Sequence, residues 1–334
     1  MYDIRSSLSS IMLQKKGICR SQSYENLRGV KGLAAQTASE LGKSRKGTPF
    51  LRDFKAGETF TLADIEGCGV IRQFFITVTD QQENGPGVLE KLILRMYWEE
   101  NEEPAVECPL GAFFSCGHGK IVMTDMEPWA AGRKSSSSWD SMPVRAMSNH
   151  SPMIIVPARS FHCYFPMPFY RHARITLENC YGAAVTVVAY QVTYTVEERS
   201  TNQDYPVFAH FYTKYAEGKW KPEMEEFELS NISIVKDDKK SETGKGTYTG
   251  IYLSARQGEK NYFSNPFLKI TSLEKQGDIW YEPVSGEELS KGGWSSFRME
   301  NPILFEKGLQ LSLVPFKDTI NNGIDVQSVI YWYI

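Results

Sequence analysis

Short runs of β-branched and aromatic residues, separated by Gly, Pro and Asn, dominate the chain from Phe50 onwards. Runs of this kind predict β-strands. A first set of predicted strands covers residues 59–62, 70–78, 92–98, 153–156, 173–178 and 185–196. A second set follows Asn202, at residues 207–212, 227–235, 246–255, 267–273, 303–305, 309–314 and 329–333. The pattern therefore predicts an all-β protein.

Helical periodicity is confined to two short stretches, 34–41 and 287–291. Many short strands divided into two sets of similar length predict two consecutive β-sandwich domains, at residues 49–200 and 201–334. Residues 1–48 are rich in Ser, Gly, Lys and Arg, which favours an extended N-terminal arm. Because such an arm has too few apolar residues for a core, we expect it to pack across its own body or a neighbouring subunit.

Composition narrows the possible partners. The 334 residues are 41% hydrophobic and 23% charged, which is typical of a globular protein. A net charge of -3 gives no electrostatic attraction to nucleic acid or to an anionic membrane, so neutral partners are favoured. There is no apolar run of about eighteen residues, and Met1–Gly17 lacks the apolar centre of a signal peptide. We therefore expect a cytoplasmic location.

The six cysteines are far apart and include no Cys-x-x-Cys pair. In a reducing compartment such cysteines remain free thiols, and most are buried. Cys108, Cys116 and His118 form the one arrangement that could face a metal, but their spacing matches no common zinc site. The sequence predicts neither a metal nor a cofactor.

Several segments occur in an order and spacing found in one known family. They are residues 56–72 (AGETFTLADIEGCGVIR), 94–98, 106–114 with Gly117-His118-Gly119 behind, and 163–169. Residues 23–26 with Gly29 and Gly32 precede them, and 301–309 and 329–333 follow. Together these segments resemble glycoside hydrolase family 172, formerly a domain of unknown function, from about residue 20 to the C-terminus.

This resemblance implies two tandem jelly-roll (β-sandwich) domains behind the N-terminal arm. It also implies a homotrimer or homohexamer with active sites near subunit boundaries. The expected substrate is a small saccharide with an α-D-fructofuranosidic or D-arabinofuranosidic bond. The resemblance implies cleavage with retention of configuration by two glutamates.

A retaining glycosidase needs one carboxylate that attacks the anomeric carbon and a second, about 5 Å away, that protonates the leaving oxygen. The segment 284–294 (VSGEELSKGGW) resembles the nucleophile stretch of the family and aligns Glu287 with the nucleophile. Its Gly-Gly-Trp, which ends at Trp294, anchors that alignment. Glu288 is not expected to serve as the partner of Glu287, since adjacent residues on a strand point to opposite faces.

The second carboxylate has no match. After Trp294 the chain passes through residues 295–300 directly into the closing strands, where the family carries a longer insertion with the acid/base glutamate. Glu300 is the candidate general acid, with Glu282 and Glu25 as further candidates.

The first domain adds candidates for substrate binding. Where the family has an aspartate, this chain has Ala112, which weakens the case for activity. His118, between two glycines, is a candidate for hydrogen bonding to a sugar hydroxyl. The other candidates are tryptophans beside Gly or Pro loops, which can stack on a furanose, and arginines that can bind its hydroxyls: Trp294, Trp129, Arg28 and Arg72.

Two main functions remain open. The first is a glycoside hydrolase with Glu287 as the nucleophile. The second is a catalytically inactive carbohydrate-binding or structural subunit of the same fold, which the missing motif residues favour. A capsid-like assembly protein follows from fold analogy alone.

Overall fold

The computed structural model describes residues 17–33, 50–78, 87–119, 123–124, 146–147, 153–155, 160–197, 209–234, 245–256, 265–274, 277–291, 293–315 and 323–334. These residues form two β-sandwiches, one built from strands between residues 17 and 197 and one from strands between residues 211 and 333. All strand pairs in both sandwiches are antiparallel. In the described part of the chain, no helix is long and apolar enough to cross a bilayer.

The first sandwich has a seven-stranded and a four-stranded sheet. The seven strands are β1 (Gly17–Ser23), β2 (Leu51–Phe54), β4 (Gly69–Val78), β9 (Ile154–Ile155), β10 (Ser160–Cys163), β11 (Met167–Phe169) and β13 (Val185–Glu197). They are ordered β1-β13-β4-β10-β9, and β2 pairs with β13 while β11 pairs with β4. The four strands are β3 (Thr59–Glu66), β5 (Leu92–Trp98), β6 (Val106–Pro109) and β12 (His172–Asn179), in the order β3-β12-β5-β6.

Short elements connect these strands. They are the helices α1 (Gly87–Lys91) and α2 (Leu110–Phe113), a 3₁₀ turn (Gly117–Gly119), and the two-stranded ribbon β7 (Met123–Thr124) and β8 (Ala146–Met147).

The second sandwich has a five-stranded and a four-stranded sheet. The five strands are β14 (Phe211–Trp220), β16 (Gly246–Arg256), β19 (Trp294–Phe297), β20 (Ile303–Phe305) and β22 (Ile324–Tyr333). They are ordered β14-β22-β16-β19, and β20 also pairs with β16. The four strands are β15 (Phe227–Ser233), β17 (Phe267–Ser272), β18 (Ile279–Pro283) and β21 (Gly308–Val314), in the order β15-β21-β17-β18. Helix α3 (Gly286–Lys291) precedes β19.

Alternating side chains explain why most strands form a sandwich. In β5, Leu92, Leu94, Met96 and Trp98 are buried, and the residues between them are only partly buried. Because successive side chains of a strand point to opposite faces, this alternation buries one face of the sheet and leaves the other towards solvent. Burying side chains of this size is the main favourable term in folding, about 1.5–3 kcal/mol for each one.

Strands β16 and β22 differ because they are buried on both faces. Ile251 and Leu253 of β16 pack in the core of the second sandwich, whereas Tyr252 between them packs in the core of the first. Ile330 and Tyr331 of β22 divide in the same way. The five-stranded sheet is therefore a wall shared by two hydrophobic cores.

Hydrogen bonds also cross this junction. The indole Nε1 of Trp98 donates to the carbonyl of Phe211 at 2.5 Å. The hydroxyl of Tyr331 donates to the carbonyl of Phe113 at 2.8 Å, and that of Tyr333 donates to the carbonyl of Pro166 at 2.8 Å. Buried polar groups must be paired, so these bonds fix the orientation of one sandwich on the other.

The fold class predicted from the sequence is confirmed: the described chain is all-β, with two tandem jelly-roll sandwiches. Part of the predicted arm, residues 17–23, is an edge strand of its own first sandwich. Gln22 in that strand exchanges hydrogen bonds of 2.7 and 2.8 Å with the backbone of Asp64 in β3. The predicted helix at 34–41 lies outside the described residues.

One strand was placed wrongly by the sequence pattern. The predicted strand at 207–212 begins instead at Phe211 and continues to Trp220. Its middle, Lys214 to Gly218, has no apolar alternation, because β14 is an edge strand that pairs only with β22. An edge strand buries less of its surface and leaves a weaker signal in the sequence.

We expect Trp98→Phe to destabilise the protein more than Trp220→Phe. Both indoles are buried, but Trp98 donates a hydrogen bond across the junction, whereas the Nε1 of Trp220 has no partner among the described residues. A buried carbonyl left without its donor costs about 1–3 kcal/mol. Urea denaturation of the two variants measures the difference, and equal losses would show that the Trp98 bond contributes nothing.

Candidate functional site

The 3₁₀ turn Gly117–Gly119 carries the first candidate side chain to the junction of the sandwiches. The backbone N–H of Gly117 donates to the Tyr252 hydroxyl at 2.7 Å, and that of His118 donates to the side-chain oxygen Oε1 of Gln327 at 2.7 Å. His118 has a φ of 51°, which is uncommon for a residue other than glycine. Two bonds from the second sandwich therefore hold this turn of the first in place.

Tyr252 also contacts the segment that follows α3. A Cβ at Gly293 would overlap the Tyr252 ring, and a Cβ at Gly117 would lie 3.0 Å from its hydroxyl and overlap Ser254. Glycine is therefore needed at 293 because of Tyr252, and at 117 because of Ser254 first and Tyr252 second. Burial raises the pKa of Tyr252, so its hydroxyl stays protonated at neutral pH. The Gly117–His118 turn and the Gly293–Trp294 segment thus meet at one phenol.

Glu287 lies in the first turn of helix α3. Two local bonds begin this helix: the Gly286 N–H donates to Asn265 Oδ1 at 2.9 Å, and the Glu288 N–H donates to Ser285 Oγ at 3.2 Å. The side chain of Leu289 is buried and anchors the helix on the second core. Residues 286–291 are helical, so the strand geometry used above to exclude Glu288 as the partner of Glu287 does not apply and was wrong. Glu288 is exposed.

His118 and Trp294 are both buried, with 5% and 9% of their surfaces exposed. Trp294 packs in the core of the second sandwich, and its strand pairs with β16 at Leu253. The two segments are neighbours through Tyr252, but their side chains belong to packed surroundings and not to an open cleft.

The remaining candidates are spread over the structure. Glu300 is exposed in the turn between β19 and β20, and Arg28 is exposed in the turn after β1. Arg72 is exposed on β4, where its Nε donates to Thr195 Oγ1 at 3.4 Å. Trp129 lies outside the described residues. The two arginines are therefore on the first sandwich and not with the junction segments.

Glu282 forms an ion pair that sequence reasoning did not foresee. Only 8% of it is exposed, and its Oε1 accepts bonds from both Nε and Nη2 of Arg298. Burial, followed by the Glu282 charge, raises the pKa of the fully buried Tyr248 well above its ordinary value. The pair joins β18 to the residue after β19 and so fixes both ends of the segment that carries Glu287 and Trp294. An ion pair needs an ionised carboxylate and a general acid needs a protonated one, so the pairing favours a structural role for Glu282.

The thiols do not resemble a metal site. Cys108 and Cys116 are fully buried, and burial raises the pKa of the Cys116 thiol to about 12. A metal ligand has to be the thiolate. No group of three or more His, Cys, Asp or Glu side chains in the described ranges is arranged to hold a metal ion.

An open depression of about 610 Å³ lies at the end of β3 and the start of β12, away from the residues predicted from the sequence. It is lined by Asp64, Glu66, Gly67, Glu100, Arg171 and His172. His172 Nε2 lies 2.5 Å from Asp64 Oδ1, and its Nδ1 lies 3.3 Å from the carbonyl of Glu99. Partial burial acts to lower the pKa of His172, but these two partners outweigh it and raise the pKa.

Glu99 connects this depression to the second sandwich. Its carboxylate accepts bonds from the backbone N–H groups of Tyr170 at 2.7 Å and Arg171 at 2.8 Å, and lies 2.9 Å from His210 Nε2. Burial acts to raise the pKa of Glu99, but these bonds lower it below its ordinary value. The Glu99 carboxylate thus links a loop of the first sandwich to the residue before the first strand of the second.

Comparison with known proteins agrees with the family resemblance. A family model described as GH172 domain-like matches residues 50–149. The resemblance to glycoside hydrolase family 172 is therefore confirmed for residues 50–149, which are similar to the GH172 domain. No curated protein matches the sequence.

Solved structures give distant matches. The STIV MCP is 8% identical, with 95% of this chain and 97% of that chain covered and a TM-score of 0.46. A structure of Sulfolobus Turreted Icosahedral Virus is 10% identical, with 86% and 90% covered and a TM-score of 0.43. A cryo-EM structure of the Sputnik virophage is 7% identical, with 91% and 90% covered and a TM-score of 0.30. At these TM-scores the likenesses carry no argument about function or assembly.

We expect Gly117→Ala to destabilise the junction, because the new methyl group meets Ser254 and the Tyr252 hydroxyl. Overpacking of this kind costs about 1–3 kcal/mol. Gly87→Ala is the matched control, since its Cβ would meet Tyr181 at 3.4 Å, an ordinary contact. Thermal denaturation compares the two, and a Gly117→Ala variant as stable as Gly87→Ala would contradict the close approach of Ser254 and Tyr252 to this backbone.

The His172–Asp64 pair predicts a pH dependence of stability. Because the folded-state pKa of His172 is raised, its contribution is fully present below the unfolded value of about 6.5 and is lost as the pH rises through the folded value. We expect the free energy of unfolding to fall across this range in the parent and to vary less in Asp64→Asn. Glu66→Gln, in the same depression, should keep the parental slope. Parallel pH profiles for the parent and Asp64→Asn would show that the pair has no energetic effect.

Proposed function

We propose that this protein is a retaining glycoside hydrolase that acts on α-fructofuranosidic or arabinofuranosidic bonds of small saccharides. The observation that supports it is the meeting, at Tyr252, of the Gly117–His118 turn with the segment behind Glu287. The GH172-like match over residues 50–149 supports the reaction class. Glu287 is the proposed nucleophile, and His118 and Trp294 are the proposed neighbours of the sugar.

The proposed reaction has two displacements. The carboxylate of Glu287 attacks the anomeric carbon, the glycosidic bond breaks, and the leaving oxygen takes a proton from a second carboxyl group. Glu300 is the proposed donor of that proton. Water then attacks the glycosyl–enzyme ester, returns its proton to Glu300, and releases the sugar with its original configuration.

The main alternative is a catalytically inactive protein that binds saccharide or serves as a structural subunit. The burial of His118 and Trp294 favours it, because a substrate could reach these side chains only if the junction opened. The exposure of Glu300 favours it too, since an exposed carboxyl group is not enclosed with a substrate away from water.

The domain boundaries, the cellular location and the oligomeric state are also proposals, which rest on the sequence and the family resemblance. We retain the division into an arm (1–48) and domains at 49–200 and 201–334, a cytoplasmic location, and a homotrimer or homohexamer. Arg28 and Trp129 remain proposed contacts to that saccharide, contributed within one subunit or across a subunit boundary. Arg72 also remains a proposed saccharide contact, but it is exposed on the seven-stranded sheet, away from the junction segments.

Removing the proposed nucleophile should abolish turnover. We expect Glu287→Gln to lower kcat on an aryl α-D-arabinofuranoside or α-D-fructofuranoside by about 10⁴-fold or more, because a loss of this size follows removal of a nucleophile. Glu288→Gln is the matched control: it is exposed in the same helix and should keep parental activity. Aryl release measured by absorbance gives the rates.

Two results decide against the proposal. Parent protein that binds these furanosides by calorimetry but does not hydrolyse either would establish the inactive alternative. Equal activity of Glu287→Gln and Glu288→Gln would remove Glu287 from the reaction.

A further inference from the structure

The outer side of the seven-stranded sheet has an unusual composition, and we name it the neutral face. One row of directly opposed residues crosses five strands: Ser23, Gln191, Phe75, His162 and Ile155. A second row carries Ser21, Thr193 and Gln73, and Gln73 Nε2 donates to Tyr164 Oη at 3.4 Å. Directly opposed residues share a side of the sheet, so both rows form one surface, in which Ser23 is buried.

This surface faces away from the core. Phe74, Phe161 and Val192, each next to a member of the rows, are fully buried, and neighbours on a strand point to opposite sides. Phe74 and Phe161 pack on Phe114, just before the Gly117–His118 turn. The neutral face is therefore on the opposite side of the sheet from the proposed catalytic segments.

A β-bulge adds a polar side chain to the neutral face. Thr193 of β13 pairs with Gln73 and Tyr194 pairs with Ile71, which leaves Arg72 as the extra residue of β4. Arg72 and Gln73 are consecutive, yet neither is buried. Bulges redirect side chains and are common beside functional sites.

The chemistry of the neutral face differs from that of an ordinary solvated sheet. The whole chain has 77 charged side chains among 334 residues, from 37 Lys and Arg and 40 Asp and Glu. In the two rows and the bulge, Arg72 is the only permanently charged side chain, and burial lowers the pKa of His162 so that it is neutral at pH 7. Hydroxyl groups, amides and aromatic rings make up most of the surface.

The aromatic part of the neutral face is already ordered. The rings of His162 and Tyr164 are parallel to within 6° with their centres 6.2 Å apart, and the Phe75 ring lies 4.9 Å from His162. Gln73 Nε2 lies 3.4 Å from His162 Nδ1 and so fixes an amide beside these rings. Tyr164 is 36% exposed, which leaves one aromatic ring accessible to a ligand.

We propose that the neutral face binds a neutral polyhydroxylated ligand, a saccharide chain, at a site separate from Glu287. Aromatic rings pack on the C–H faces of sugars, and the amides of Gln73 and Gln191 with the guanidinium of Arg72 can bond to their hydroxyls. The near absence of charge favours a neutral ligand over an anionic or strongly cationic one. A protein interface would have a more apolar centre than these rows, in which five of the eight side chains are Ser, Thr or Gln.

Affinity electrophoresis of the full chain in gels containing inulin, arabinan or dextran tests this site. The assay uses the Glu287→Gln background, so that turnover of the polysaccharide plays no part and a failed catalytic proposal leaves the result readable. We expect at least one polysaccharide to retard the protein. The double variant Gln73→Ala/Tyr164→Ala should weaken the binding by about tenfold or more, which a loss of two contacts accounts for.

Tyr97→Ala is the matched control. Tyr97 lies on the outer side of the other sheet of the same sandwich, beneath Arg174, whose guanidinium is 4.2 Å from its ring centre. Binding should be unchanged in this variant. Tyr164→Phe, which removes only the hydroxyl, provides a second reading if the double variant does not fold, and it should also weaken retardation.

Three outcomes would overturn the proposal. No retardation by any of the three polysaccharides would exclude a saccharide site, as would equal retardation of the parent, the double variant and Tyr164→Phe. Sedimentation showing that the double variant is a smaller species than the parent would identify the neutral face as an interface between copies of this chain.

Discussion

The wall of strands shared by the two cores is the constraint on which the rest of the structure depends. β16 and β22 present alternate side chains to each sandwich, so neither core is complete without the same two strands. Four residues of the second sandwich are buried in the first core: Phe211, Tyr252, Val329 and Tyr331. Because the cores are shared, the loops that meet at this wall have little freedom to move apart. This rigidity makes the junction a suitable place to hold two segments distant in sequence in a fixed relation.

The phenol of Tyr252 shows how the wall positions the candidate site. It accepts the Gly117 N–H from a turn 135 residues earlier, and it leaves no space for a side chain at Gly293. The ion pair between Glu282 and Arg298 then fixes the ends of the segment that contains helix α3. A glycosidase depends on the placement of its carboxylates to within a fraction of an ångström, and these contacts are the ones that would set the place of Glu287. The same tight packing buries His118 and Trp294, and it is the strongest structural argument for the inactive alternative.

Local patterns in the sequence predicted most of the fold. The alternation in β5 and the long apolar runs of β4, β13 and β16 are properties of neighbouring residues, so they identify these strands without knowledge of the partners. The same patterns placed β14 at residues 207–212 instead of Phe211–Trp220, because the polar middle of this strand lies at a sheet edge. Glu287 was found through the Gly-Gly-Trp that follows it. In contrast, a local pattern cannot predict contacts between residues far apart in the chain. Examples are the contacts of Tyr252, the His172–Asp64 pair and the Glu282–Arg298 ion pair.

The central claim is that the junction carries a retaining furanosidase with Glu287 as its nucleophile, and trapping the covalent intermediate tests it most directly. An activated 2-deoxy-2-fluoro-D-arabinofuranoside forms the glycosyl–enzyme ester but slows its hydrolysis, because the fluorine destabilises the positively charged transition state. Peptide mapping by mass spectrometry after this treatment should find one sugar on the peptide that contains Glu287, and none in the Glu287→Gln variant. A sugar attached to a different carboxylate, or unlabelled protein that nevertheless hydrolyses the parent furanoside, would contradict the account.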